Sequence, residues 1–200
     1  MGKQDDKHLK AVRRALREAQ ATSALVDVVS IFKTASTVQG FVVAVSTDWV
    51  VVRELDDSLF LDGYSAIRLE VVKKVRPAKN RDRFIEELLT ARGQWPLEPL
   101  VGNFIRTKDV VRFIWSSGNL VRIYEGSKHP EKFWVGVPHK PKKQSVTIDS
   151  LDPDGTWSPK PAKFWYGYTT RLSWGYLYES TLREVAGPAP TQTGRSRAAR

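Results

Sequence analysis

The 200-residue chain has no cysteine, which excludes disulfides, thiol nucleophiles and thiolate metal sites. Histidine is scarce as well. His8, His129 and His139 are the whole set, and no spacing among them builds a zinc site, so neither metal nor cofactor is expected. No hydrophobic run approaches the length of a membrane span. The N-terminal MGKQDDKHLKAVRRALREAQ lacks the apolar core of a signal peptide. Asp6 stands where a myristoylation site needs Ser or Thr. The expectation is a soluble, cytoplasmic protein.

What is present is positive charge and apolar strand-like sequence. Net charge is +10 and hydrophobic content 41%. That content supports a real core in one ordinary domain or two small ones. The charge draws the chain toward nucleic acid or anionic membrane without sequence-specific contact, although the tail arginines Arg195, Arg197 and Arg200 serve solubility equally well.

The organising stretch is Gly40 to Val75. Phe41–Val45, Trp49–Glu54, Ala66–Leu69 and Val71–Val75 read as strands, divided by the turn formers Ser46-Thr47-Asp48, Asp56-Asp57-Ser58 and Asp62-Gly63. Short β-branched runs of this kind suggest a small, bent antiparallel sheet closed into a barrel. Both faces of Trp49–Glu54 are apolar, so the strand needs cover on each side, and Gly40 marks sharp curvature.

Before this stretch, Lys7–Gln20 predicts an amphipathic helix with Leu9, Val12, Leu16 and Ala19 on one side and Lys10, Arg13, Arg14 and Arg17 on the other. Leu25–Phe32 reads as a helix end that becomes a strand near Ile31. After the stretch comes the densest basic run, Lys73, Lys74, Arg76, Lys79, Arg81 and Arg83. A short helix follows to Ala91, with Phe84, Leu88 and Ile85 inward, and Gly93 and Pro96 end it.

A second unit opens with a Thr107-capped helix through Trp115. Strands are expected at Leu120–Tyr124, Phe133–Val137, Val146–Leu151, Phe164–Tyr168 and Thr170–Trp174, then a helix over Tyr178–Val185. The organisation is therefore an N-terminal unit over 1–92, a connection over 93–106, a second unit over 107–186 and a basic tail over 187–200. The halves share an order of events that reads as a duplication. Glu54-Leu55-Asp56 matches Ser150-Leu151-Asp152, and Tyr64…Arg68-Leu69 matches Tyr168…Arg171-Leu172.

One helix followed by five short, bent strands resembles the Sm-like (LSm, Hfq-like) barrel. DGYSAIRL and LDPDGTW…TTRLSWG…YLYESTLREVAG look like a group of bacterial proteins with two such modules. The resemblance, over about residues 22–187, implies a mainly β fold with short helices, two tandem five-stranded antiparallel barrels, each preceded by a helix. For the family it implies single-stranded RNA binding in six- or seven-membered rings. The family's Asp and Asn between its second and third strands do not carry over, since Trp49 follows Asp48. Nor does its Gly between the fourth and fifth strands, where Glu70 stands in the first half and Tyr168-Thr169-Thr170 in the second.

No catalytic pattern emerges. Asp149, Asp152 and Asp154 miss the calcium-loop spacing, with Ser150 at a needed place and no flanking helix. Asp56, Asp57 and Asp62 lie in hairpin loops with no nucleophile or phosphate-cradling glycine loop beside them. The stronger pattern interleaves cations with flat rings, which is how nucleic-acid modules attract phosphate and stack bases. The expected nucleic-acid-binding residues are Lys73, Lys74, Arg76, Lys79, Arg81, Lys128, Lys140, Lys142, Lys143 and Trp165. In FWYGY, alternation places Phe164, Tyr166 and Tyr168 on one side and Trp165 on the other. The alternative expectations are a protein-interaction adaptor built on aromatic surfaces and membrane-surface association through the first helix.

Overall fold

The computed structural model describes residues 3–32, 37–78, 82–130 and 132–190. It is mainly β with four α-helices, and the chain divides into two compact units, Met1–Arg106 and Thr107–Arg200.

In the first unit, helix α1 (Lys3–Thr22) precedes β1 (Leu25–Ser30), β2 (Thr37–Val45), β3 (Trp49–Leu55) and β4 (Leu61–Arg68). A 3-10 turn, Leu69–Val71, leads into β5 (Val72–Pro77), and α2 (Asp82–Ala91) follows. Ladder order is β5-β1-β2-β3-β4, each neighbouring pair antiparallel. The order is open; among the described residues no ladder closes it into the expected ring of strands.

Residues 25–30 are a strand from the start, not a helix end. Ser23 takes a left-handed φ of 50°, and the Ala24 amide donates to Ala19 O. The helix therefore stops before the β-branched run, which pairs on both edges. The two apolar faces of β3 then find their cover. Val50 and Val52 pack with Val12, Leu16 and Ala19 of α1. Leu55 joins Leu25, Phe41 and Leu61 under Ile85 and Leu89 of α2. Phe84, expected inward, is 57% exposed, because the inward stripe of α2 runs through Ile85 and Leu89. Trp95 and Leu97, from the expected connection, pack on that second cluster.

In the second unit, α3 (Thr107–Ser117) precedes β6 (Val121–Tyr124), β7 (Phe133–Pro138), β8 (Ser145–Leu151), β9 (Ala162–Trp165) and β10 (Arg171–Trp174), then α4 (Leu177–Ala186). The ladder order is β10-β6-β7-β8-β9, again antiparallel. Val110, Val111 and Ile114 of α3 are buried, and Phe113 meets Trp174 edge-on at 5.9 Å.

Ladder for ladder, this is the order of the first unit, and the correspondence reaches single residues. Gly40 faces Glu54, and Gly136 faces Ser150. A Cβ on either glycine would lie 2.1 Å from a facing carbonyl oxygen, Arg53 O or Asp149 O. Glycine is thus required where β2 and β7 cross their partners closely. The turns that follow also match. Leu59 N donates to Asp56 O and Gly155 N to Asp152 O, and both residues are left-handed, at φ 62° and 82°. These registers support aligning Glu54-Leu55-Asp56 with Ser150-Leu151-Asp152. They do not support the other pairing. Arg68 faces Trp49 at the end of β4, whereas Arg171 faces Tyr124 in β10, the place that Lys74 holds in β5 facing Val29.

Candidate functional site

In the second unit, the loop over 139–144 and the turn over 166–170 are tied together by main-chain bonds. Tyr166 N donates to Gln144 O at 3.0 Å and Lys142 N to Ser145 O at 3.0 Å. The Tyr166 hydroxyl donates to Lys142 O at 3.3 Å. A buried ring thus anchors the backbone of the lysine loop, while Lys140, Lys142 and Lys143 remain exposed.

Beside this loop the strand alternation runs out. Phe164 points inward against Trp134, with centroids 5.2 Å apart. Trp165, facing Ser145, points outward and is 44% exposed. The ammonium of Lys163 lies 4.0 Å from its ring centroid. Alternation alone would put Tyr168 on the same side as Phe164 and Tyr166. The chain turns first, through Tyr168 N to Trp165 O and Thr169 N to Tyr166 O, so Tyr168 emerges 42% exposed. Lys128 reaches it, its ammonium 3.6 Å from the ring centroid. The loop that carries Lys128 is held by Gly126 N to Thr170 Oγ1 at 3.0 Å. Lys128, Lys140, Lys142 and Lys143 therefore belong to loops bonded around one aromatic turn, which opens at Trp165, the last residue of β9. Lys163 and Tyr168 join them; only the end of the strand at Trp165, which sequence alternation does not mark, turns Tyr168 outward.

Lys73, Lys74 and Arg76 are exposed on β5 of the first unit. Lys79 and Arg81 lie outside the described residues. The first unit repeats the loop-to-turn bond, with Leu69 N donating to Asp48 O at 2.9 Å, but acidic Asp48 and Glu70 stand there. Helix α1 also engages that end. Arg13 donates to Thr47 O at 2.9 Å, and His8 Nε2 bonds Val72 O at 3.1 Å.

The remaining polar candidates have structural partners. His139 Nε2 lies 3.0 Å from Asp149 Oδ1, and His129 meets Trp134 edge-on at 5.4 Å. Asp56 Oδ1 accepts from Phe60 N and Asp154 Oδ1 from Thr156 N, so both close turns. Among the described residues, no group of three or more His, Asp or Glu is placed to hold a metal, and no helix is long and apolar enough to cross a membrane.

One buried ion pair gave no sequence signal. Arg122 on β6 bonds Glu179 on α4, with its guanidinium 4.8 Å from the Phe133 centroid and 4.9 Å from that of Tyr176. Burial works against this charge, but the Tyr124 phenol and the Glu179 carboxylate outweigh it and raise the Arg122 pKa.

Burial also raises the Tyr166 pKa to about 12, against a smaller opposing effect of Arg112. Because the raised value belongs to the folded state, the contribution to stability is complete below the ordinary tyrosine range, near 10, and is lost as pH rises through about 12. Alkaline titration followed by absorbance should show one late phenol that disappears in Tyr166→Phe. A variant with an unchanged titration would show Tyr166 to be solvated.

No family model matches the chain, and neither a curated protein nor a solved structure shows significant similarity to it.

Proposed function

We propose that the chain is a non-catalytic protein that binds single-stranded RNA or DNA through its second unit, with little sequence readout. The observation that carries this reading is the aromatic turn, where Trp165 and Tyr168 are each exposed with a lysine ammonium over one ring face. A cation covers only one face of a ring and leaves the other for a base, while the adjoining Lys140, Lys142 and Lys143 supply charge for the phosphates. Net charge of +10 adds long-range attraction. Each unit's helix and five antiparallel strands support reading it as a small, strongly bent Sm-like module. The pocket residues of that family are missing, which favours backbone and stacking contacts over base-specific ones.

The second reading, a protein-interaction adaptor, rests on Leu177, Tyr178 and Val185 of α4, exposed at 71%, 50% and 76%. No lysine is among them, so the two surfaces separate by mutation. Membrane association through α1 has less support, because Val12, Leu16 and Ala19 are buried in the first unit.

The test is titration of labelled single-stranded RNA, single-stranded DNA and duplex DNA across a salt series. Affinity should fall steeply with salt, and neutralising Lys140, Lys142 and Lys143 together should reduce the log–log slope by about 2, at roughly 0.7 per phosphate. Trp165→Ala should cost about 1–3 kcal/mol at every salt concentration. Salt-independent affinity, or no binding at low salt, would overturn the proposal.

A further inference from the structure

The first unit contains a concavity unrelated to the aromatic turn. A cavity of about 260 Å³ is lined by Arg53 and Tyr64 of the β3–β4 hairpin, by Gln94 and by apolar Val43, Leu61 and Leu97, with Glu98 also in its lining. This volume exceeds the ~150 Å³ that encloses a benzene molecule, so a compact metabolite fits.

Its polar groups are fixed in advance. Arg53 donates from Nη1 to Gly63 O at 2.9 Å and from Nη2 to Leu61 O at 3.2 Å. Its guanidinium lies 4.5 Å from the centroid of the Tyr64 ring. A guanidinium has five N–H donors, and two backbone carbonyls cannot use them all. Gln94 Oε1 accepts from Leu61 N at 3.2 Å, which assigns the amide and leaves its nitrogen as the donor for the cavity. The walls are pinned too. Arg92 donates to Leu59 O at 2.6 Å and stacks 3.7 Å from the Phe60 centroid, fastening the hairpin turn to the end of α2. Gln94 N closes that helix onto Leu89 O at 2.8 Å.

The second unit carries different chemistry at the matching position. By ladder register the place of Arg53, beside the residue that faces Gly40, is taken by Asp149, beside the residue that faces Gly136. Asp149 is buried and paired with His139.

We propose that the cavity binds a free α-amino acid with an apolar side chain. Arg53 and the Gln94 amide take the carboxylate, Glu98 at the exposed rim takes the ammonium, and Val43, Leu61 and Leu97 take the side chain. Binding stays well short of high affinity, because the rim is open to water and screens the ammonium pair. The site is independent of the nucleic-acid reading.

The probe is L-phenylalanine, titrated into the full chain by calorimetry and by amide NMR, with 3-phenylpropionate and phenethylamine as single-charge controls. Phenylalanine should bind at least about tenfold more tightly than either control, with NMR shifts confined to residues near 53, 64 and 94. Arg53→Gln should weaken it by at least about tenfold. Glu98→Gln is an exposed change that spares the fold, and it should bring phenylalanine and phenylpropionate to similar affinity. Absence of binding at millimolar probe, or equal binding of phenylalanine and phenylpropionate to the natural chain, overturns the proposal. So does Glu98→Gln binding phenylalanine as tightly as the natural chain does.

Discussion

Gly40→Ala is expected to destabilise the first unit by about 3 kcal/mol, and Gly136→Ala to do the same to the second. The added methyl would lie 2.1 Å from a main-chain oxygen in both cases, and at Gly40 also 2.8 Å from Val52 Cγ1. A flexible side chain could swing away from such a contact, but a carbonyl held in a ladder cannot. Relief would require β2 to part from β3, or β7 from β8, in the middle of each unit's strand order. For units of this size the loss corresponds to a fall of roughly 15 °C in melting temperature. Gly167→Ala is the control. Its methyl would meet nothing within 4 Å, and stability should change by less than about 0.5 kcal/mol. Calorimetric unfolding of the three variants checks all of this at once, and unchanged melting of Gly40→Ala would mean that the two strands lie further apart in solution.

The next largest effect is expected at Glu179. Its side chain is 3% exposed and that of Arg122 17%. Their contact leaves Arg122 Nε and Glu179 Oε2 buried without a hydrogen-bond partner. Glu179→Ala would strand the guanidinium between two aromatic rings with no counter-charge, at a cost of about 3 kcal/mol. Glu179→Gln keeps an acceptor but loses the counter-charge, and should cost about 2 kcal/mol. Replacing both partners, Arg122→Met with Glu179→Leu, should recover most of the loss, since the pair's desolvation disappears with its attraction. Urea unfolding at neutral pH distinguishes these outcomes. A double variant as unstable as Glu179→Ala would show that shape at this position, and not the uncompensated charge, sets the cost.

The sequence showed the architecture more plainly than the sites, for a physical reason. Strand alternation, turn formers and the α1 stripe are local patterns, and they located the helix of each half, the five strands of the second and the cores of β2 to β5 in the first, although Asp62-Gly63, read as a turn, lies inside β4. The errors came where local pattern meets tertiary contact. Leu25–Ser30 is apolar in a way that suits either a helix or a strand, and pairing with β2 and β5 decided it. Phe84 and Ile85 are equally apolar, and only the packed position of α2 chose Ile85. The matching of Arg68 to Arg171 failed because chemical likeness in the chain is not register in a ladder. At the sites, Lys140, Lys142 and Lys143 were legible because they cluster in sequence. Arg53 with Gln94, and Arg122 with Glu179, are brought together only by folding.

The open order of strands gives Lys73, Lys74 and Arg76 a second meaning. They sit on β5, at the end of the ladder order, and an end strand offers a row of unpaired amides and carbonyls to any other extended chain. Charged side chains on such a strand are a common defence against edge-to-edge aggregation. Lys73, Lys74 and Arg76 are thus placed where charge opposes strand-to-strand pairing between copies, whether or not a phosphate ever touches them. A substitution on this edge would alter charge and strand protection together, whereas the lysine loop over 139–144 lies outside any ladder, so its charges can be changed alone.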